Sequence, residues 1–306
     1  MARVASRLAA WVTALTILCG AGAVPASAST ATPSPGPPDI VTAPTLIAST
    51  PAGDVGYREE GTGSPVLLIM GFGGSMDDWE PSFVDALAAR HTVVVFDNAG
   101  IGATTALPSP LSIPAMAGQA SALISALRLG RTAVLGWSMG GMIAQALAVL
   151  HPRQVSRLIL AATQAGTGTS LPIPPAAAAA LASPNPATVL SVLFPPDQAA
   201  AAKSYLAGIL QYPGFYAASD AVKAQQDTAI QHWMAGQDPA GRQLSRIRAS
   251  TLVADGTLDQ LDPTANDWLL ALGIRRAHLL LYPDAGHAFL FQDAAQFVPA
   301  VERFLH

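Results

Sequence analysis

Apolar residues gather in short uninterrupted runs along this chain. Val66 to Met70, Thr92 to Phe96, Ala133 to Trp137, Leu158 to Ala162, Thr251 to Ala254 and His278 to Tyr282 each have the length of a strand and little alternation. Such runs suit strands covered on both faces. Two further extended segments precede them, at about 44 to 49 and 54 to 60. Between the runs lie stretches of helical period: Ser82 to Arg90, Ile113 to Leu129, Met139 to Leu150, Pro263 to Leu272 and Ala294 to Leu305. Strand alternating with helix predicts an α/β fold, a mostly parallel central sheet with helices on both faces. The rhythm breaks once, from Gly166 to Arg248, where helical and Pro-rich pieces intervene. This segment is expected to form a mainly helical cap inserted at the carboxyl edge of the strands, where such sheets bind ligands.

The amino-terminal segment has a different pattern. Arg3 and Arg7 precede an apolar stretch from Leu8 to Val24, and Ala26-Ser27-Ala28 follows, the arrangement of a cleavable secretory signal over residues 1–28. Residues 29–39 are rich in Pro and Ser and predict a linker, leaving 40–306 as the folded domain. The expected product is secreted or extracytoplasmic, with no stable membrane anchor after cleavage.

Composition narrows the chemistry. Hydrophobic residues make up 51% of the 306 positions, enough for a full core, while charged residues make up 12%. The net charge is −4, only two of the 16 basic residues are Lys (Lys203 and Lys223), and the Arg residues are scattered, so nucleic acid is not an expected partner. The single cysteine, Cys19, falls in the signal, so thiol and Cys-zinc chemistry are excluded for the mature chain. No cofactor or metal is expected.

The most informative segment is Thr132 to Gly141, TAVLGWSMGG, where an apolar strand runs into Gly136-Trp137-Ser138-Met139-Gly140 and then a helix. G-x-S-x-G in this context makes Ser138 a candidate nucleophile, with the Met139 N–H free at the helix start to face an oxyanion. The Gly-rich loop Met70-Gly71-Phe72-Gly73-Gly74 offers a second donor, the Phe72 N–H. Of the six histidines, only His287 sits in a short turn between the last strand and the last helix, the place of a general base. The acid that orients it is expected after the next-to-last strand, where Asp259 is the candidate and Asp255 and Asp262 are rivals. Asp262, just before Pro263, is suited to capping the helix that follows.

The order Ser138, Asp259, His287 resembles that of the α/β-hydrolase family over about residues 45 to 306. The resemblance rests also on Asp97-Asn98-Ala99-Gly100-Ile101-Gly102, similar to a D-x-R-G-x-G loop, on G-x-x-D-x-x-x-P at 256–263, and on Gly286-His287. Two departures bear on the bracing of the oxyanion loop: Met70 stands where His is often found, and Ala99 where Arg is usual. The resemblance implies a serine hydrolase of the esterase and lipase type acting on a small-molecule ester, with 166–248 as the family's cap. Peptidase, lactonase, carbon–carbon hydrolase and perhydrolase chemistry use the same three residues, and some relatives bind ligands without catalysis.

Overall fold

The computed structural model describes residues 36–214 and 216–306. The signal expected at 1–28, and residues 29–35 of the linker, lie outside the described residues. Eight strands form one sheet: β1 (Leu46–Thr50), β2 (Gly53–Glu60), β3 (Ser64–Ile69), β4 (His91–Phe96), β5 (Thr132–Trp137), β6 (Val155–Ala161), β7 (Ser250–Gly256) and β8 (Ala277–Tyr282). Their order is β1-β2-β4-β3-β5-β6-β7-β8. The β1–β2 and β2–β4 pairings are antiparallel and all others parallel.

Alternate residues of each buried strand serve opposite layers. Leu67 and Ile69 of β3 and Val94 and Phe96 of β4 pack with α2 (Ile113–Ala126), α3 (Met139–Leu150) and α8 (Ala265–Gly273). Val66 and Leu68, with Val93 and Val95, face α1 (Pro81–Ala88), α9 (Phe289–Gln292) and α10 (Ala294–Leu305). Both layers are dry, which is why these strands read as continuous apolar runs. The helix expected through Leu129 ends three residues earlier, because the chain reverses at Arg128, whose φ is +56°.

Between β6 and β7 stand α4 (Pro175–Leu181), α5 (Pro186–Leu193), α6 (Ala199–Ile209) and α7 (Asp220–Met234). These helices dock through polar side-chain tips that meet backbone carbonyls of the body. Tyr205 and Tyr212 donate their hydroxyls to the carbonyls of Asp78 (3.0 Å) and Trp79 (2.9 Å), and the Trp233 indole N–H reaches the Gln164 carbonyl (3.2 Å). Each contact buries an aromatic body while satisfying its one polar atom. The strand order reverses around β3, with β4 on one side and β5 on the other. The crevice that such a reversal leaves at the carboxyl ends of the strands is where a ligand fits.

Candidate active site

Ser138 occupies the turn from β5 into α3, with φ +57° and ψ −124°. A non-glycine residue in that conformation costs about 1–3 kcal/mol and persists only where its surroundings hold it. Here the Ser138 N–H donates to the Ala161 carbonyl (2.9 Å), while its own carbonyl accepts from Gly141 N–H (2.8 Å) and the Thr163 hydroxyl (2.7 Å). The flanking glycines are sterically required. A Cβ at Gly136 would lie 2.2 Å from the Gly140 carbonyl oxygen, and one at Gly140 would lie 1.9 Å from that of Ile69. Tight packing of the turn against β3 thus leaves the Ser138 side chain standing at the sheet edge.

The loop after β3 lies directly beside it. A Cβ at Gly71 would stand 3.1 Å from Ser138 Cβ, so the loop carrying Phe72 packs against the turn that carries Ser138 and Met139. Bracing of this loop comes from residues that the sequence did not single out for it. Asn98 donates its side-chain amide to the Met70 carbonyl (2.9 Å) from the adjacent β4 loop. On the other side, the Gly73 N–H donates to Gln226 Oε1 (2.8 Å) and the Gly73 carbonyl accepts from the Ala218 N–H (3.2 Å). Gln226 lies on α7 and is fully buried. Asp97 accepts from the Met76 N–H (2.8 Å) and from the Tyr216 hydroxyl, tying the cap segment just before α7 to the same region. The loop after β3, which lacks His at position 70 and faces a β4 loop without Arg at position 99, is therefore held by one side-chain amide from the body and by a clamp from the cap.

His287 and Asp259 come together: His287 Nδ1 lies 2.6 Å from Asp259 Oδ2. The other carboxylate oxygen, Oδ1, accepts the N–H groups of Leu261 (2.6 Å) and Asp262 (2.9 Å), so the carboxylate is fixed by its own loop. The Trp137 indole N–H donates to the His287 carbonyl (3.0 Å), and the two rings lie 5.7 Å apart. Trp137, one residue before Ser138, thereby links the elbow to the histidine loop. His287 and Ser138 both line two cavities, of about 360 and 300 Å³. The first runs past Met142, Ile173, Ile230 and Leu261, the second past Val189, Leu190, Leu206 and Ile209, and Phe72, Leu181 and Lys223 line both.

The rival acids have another place. Asp262 does not cap α8: the position before that helix is Thr264, and Asp262 Oδ1 accepts from the Asn266 side-chain amide (2.8 Å) instead. With Asp255 and Asp267 it forms a buried cluster whose carboxylate oxygens lie within 4.8 Å of one another, the one such group among the described residues. Desolvation and mutual repulsion push Asp262 up to about 7, Asp267 up to about 9 and Asp255 well above the carboxylate range. Three carboxylates that close cannot all ionise, so the cluster holds protons at neutral pH. Reading Asp262 as a cap failed because Pro263 sets the next turn outside the helix and leaves the acid facing inward.

Comparison with known proteins agrees with this geometry. Residues 64–294 match the alpha/beta hydrolase fold family. The chain is 30% identical over 250 residues to a poly(3-hydroxyalkanoate) depolymerase of Ectopseudomonas oleovorans, covering 79% of this chain and 84% of that protein. It is 41% identical over 112 residues to a putative non-heme bromoperoxidase, BpoC, of Mycobacterium tuberculosis, a match spanning 36% of this chain and only 42% of that protein. Among solved structures, an alpha/beta hydrolase fold protein from Chitinophaga pinensis superimposes with a TM-score of 0.78 at 27% identity, over 87% of this chain and 98% of that one. With the β3 loop, the serine turn and the histidine–aspartate pair gathered at one sheet edge and the family matched over most of its length, the chain belongs to the α/β-hydrolase family.

Proposed function

We propose that the protein is a secreted serine hydrolase that cleaves carboxylic esters through an acyl-enzyme. The observation that carries this reading is the 2.6 Å contact between His287 Nδ1 and Asp259 Oδ2, made by a histidine that lines the same cavities as Ser138. A carboxylate only accepts, so His287 Nδ1 carries the proton and Nε2 is left as the base. Ser138 Oγ attacks the ester carbonyl and its proton passes to His287 Nε2. In this reading the developing oxyanion is met by the N–H groups of Phe72 and Met139. The carbon–oxygen bond to the alcohol then breaks, and the alcohol leaves with the proton from His287. Water repeats the sequence on the acyl group, releasing the acid and restoring Ser138.

Two apolar cavities that meet at the serine suit the two halves of an ester, one for the acyl chain and one for the alcohol. The depolymerase relative, whose name describes a polyester as its substrate, supports an ester over an amide bond. The secreted location rests on the pattern of residues 1–28. A fluorophosphonate probe together with a 4-nitrophenyl ester series of rising acyl length tests the reading. The unaltered protein is expected to label and to turn over these esters. Ser138→Ala is expected to abolish labelling and lower turnover by on the order of 10³- to 10⁶-fold with an unchanged circular dichroism spectrum. Labelling retained by the Ala variant would remove Ser138 from this role.

A further inference from the structure

Both cavities are apolar along most of their walls, yet one lysine side chain borders the two of them. Lys223 lies in the first turns of α7, three residues before Gln226, so both project from one helix face toward the β3 loop. Its aliphatic stem rests over Gly73: a Cβ there would lie 3.2 Å from Lys223 Cε and 3.6 Å from Cγ. The ammonium is thereby carried past the oxyanion loop to the mouth that the cavities share with Ser138 and His287.

No acid stands within 4.0 Å of it among the described residues. The acids that line the same cavities are otherwise engaged. Asp227 is exposed and accepts from the Gln231 side chain (2.7 Å). Asp78 accepts from the Ser75 N–H (2.8 Å), and burial pushes it, like Asp262, up to about 7. A cation near the start of a helix also opposes the helix dipole. An unpaired, half-buried ammonium that lines the same cavities as Ser138 and His287 is open to a negative group carried by a ligand.

Resting on the ester-hydrolase reading, we propose that Lys223 binds a carboxylate carried by the substrate and makes the preferred substrates anionic esters. An ester with a free acid at the far end of its acyl chain, or on its alcohol, would place that group at the shared mouth while its chain fills a cavity. Lys223 then selects which esters are cleaved, and the bond-breaking chemistry remains with the groups around Ser138.

Two substrate pairs test this. For the acyl side, the pair is the mono-4-nitrophenyl ester of adipic acid against 4-nitrophenyl hexanoate; for the alcohol side, 4-acetoxybenzoate against 4-methylphenyl acetate. The quantity read is the ratio of kcat/KM for the anionic to the neutral member. In at least one pair, Lys223→Met is expected to lower this ratio about tenfold, as for loss of one hydrogen bond to a charged group, while Lys223→Arg keeps it. Raising salt from 0.05 to 0.5 M is expected to lower the ratio in the unaltered protein, a check that needs no variant. If Lys223→Met changed both members of each pair by the same factor, the residue would act on the oxyanion or on packing, and the proposal would be overturned. If the unaltered protein cleaved none of the four esters, the ester reading itself would fall, and this inference with it.

Discussion

Asp259, Asp255 and Asp262 lie within eight positions, yet only one of them reaches His287. Asp259 accepts two backbone N–H donors on Oδ1, whereas Asp255 and Asp262 are driven toward neutrality by burial and then by the neighbouring Asp259. Asp259→Asn keeps the shape but no longer favours the proton on Nδ1, and its turnover is expected to fall by up to ~10⁴ in the ester assay. Asp262→Asn is expected to stay within about tenfold of the unaltered protein. The reverse outcome would move the acid to Asp262. The place of Ser138 in the turn after β5 and the meeting of His287 with Asp259 were legible in the sequence because each residue sits in a turn after a strand. The inward turn of Asp262 was not, because a carboxyl before Pro looks the same whether it caps a helix or faces other buried acids.

The helix α7 joins two regions far apart in sequence. Gln226 accepts the Gly73 N–H across 153 residues and so fixes the residue next to Phe72. Gln226→Ala is expected to lower kcat by about 10- to 100-fold with a smaller effect on KM, since a misaimed oxyanion donor is felt mainly in the transition state. Steady-state kinetics on a 4-nitrophenyl ester separates the two quantities. An effect confined to KM would mean that α7 shapes the pocket without bracing the loop. The sheet and its flanking helices were visible in the sequence because period and burial coincide there. The cap revealed only its helical character: nothing in the order of residues 216–226 announces that Tyr216, Ala218 and Gln226 bond to the β4 and β3 loops, since side-chain contacts of that range leave no local period.

For the molecule as a whole, the buried carboxyl cluster links stability to pH. Asp262 and Asp267 keep protons in the folded state that the unfolded chain releases near its ordinary carboxyl range, so the folded state binds more protons above about pH 4. Stability therefore falls as pH rises from about 4 until the folded values near 7 and 9 are passed, and is flat beyond them. Asp267→Asn removes one such group and is expected to raise Tm more at pH 9 than at pH 5; an equal gain at both would mean that the cluster does not titrate over this range. The Gly73 clamp has a different consequence, for inheritance. The loop after β3 belongs to the sheet, but part of what holds it is encoded in the insertion that shapes the pockets. Exchange of the insertion for a relative's would import new pockets and discard the clamp in one event. A cap exchanged onto this body keeps the clamp only if it retains a side-chain acceptor opposite Gly73.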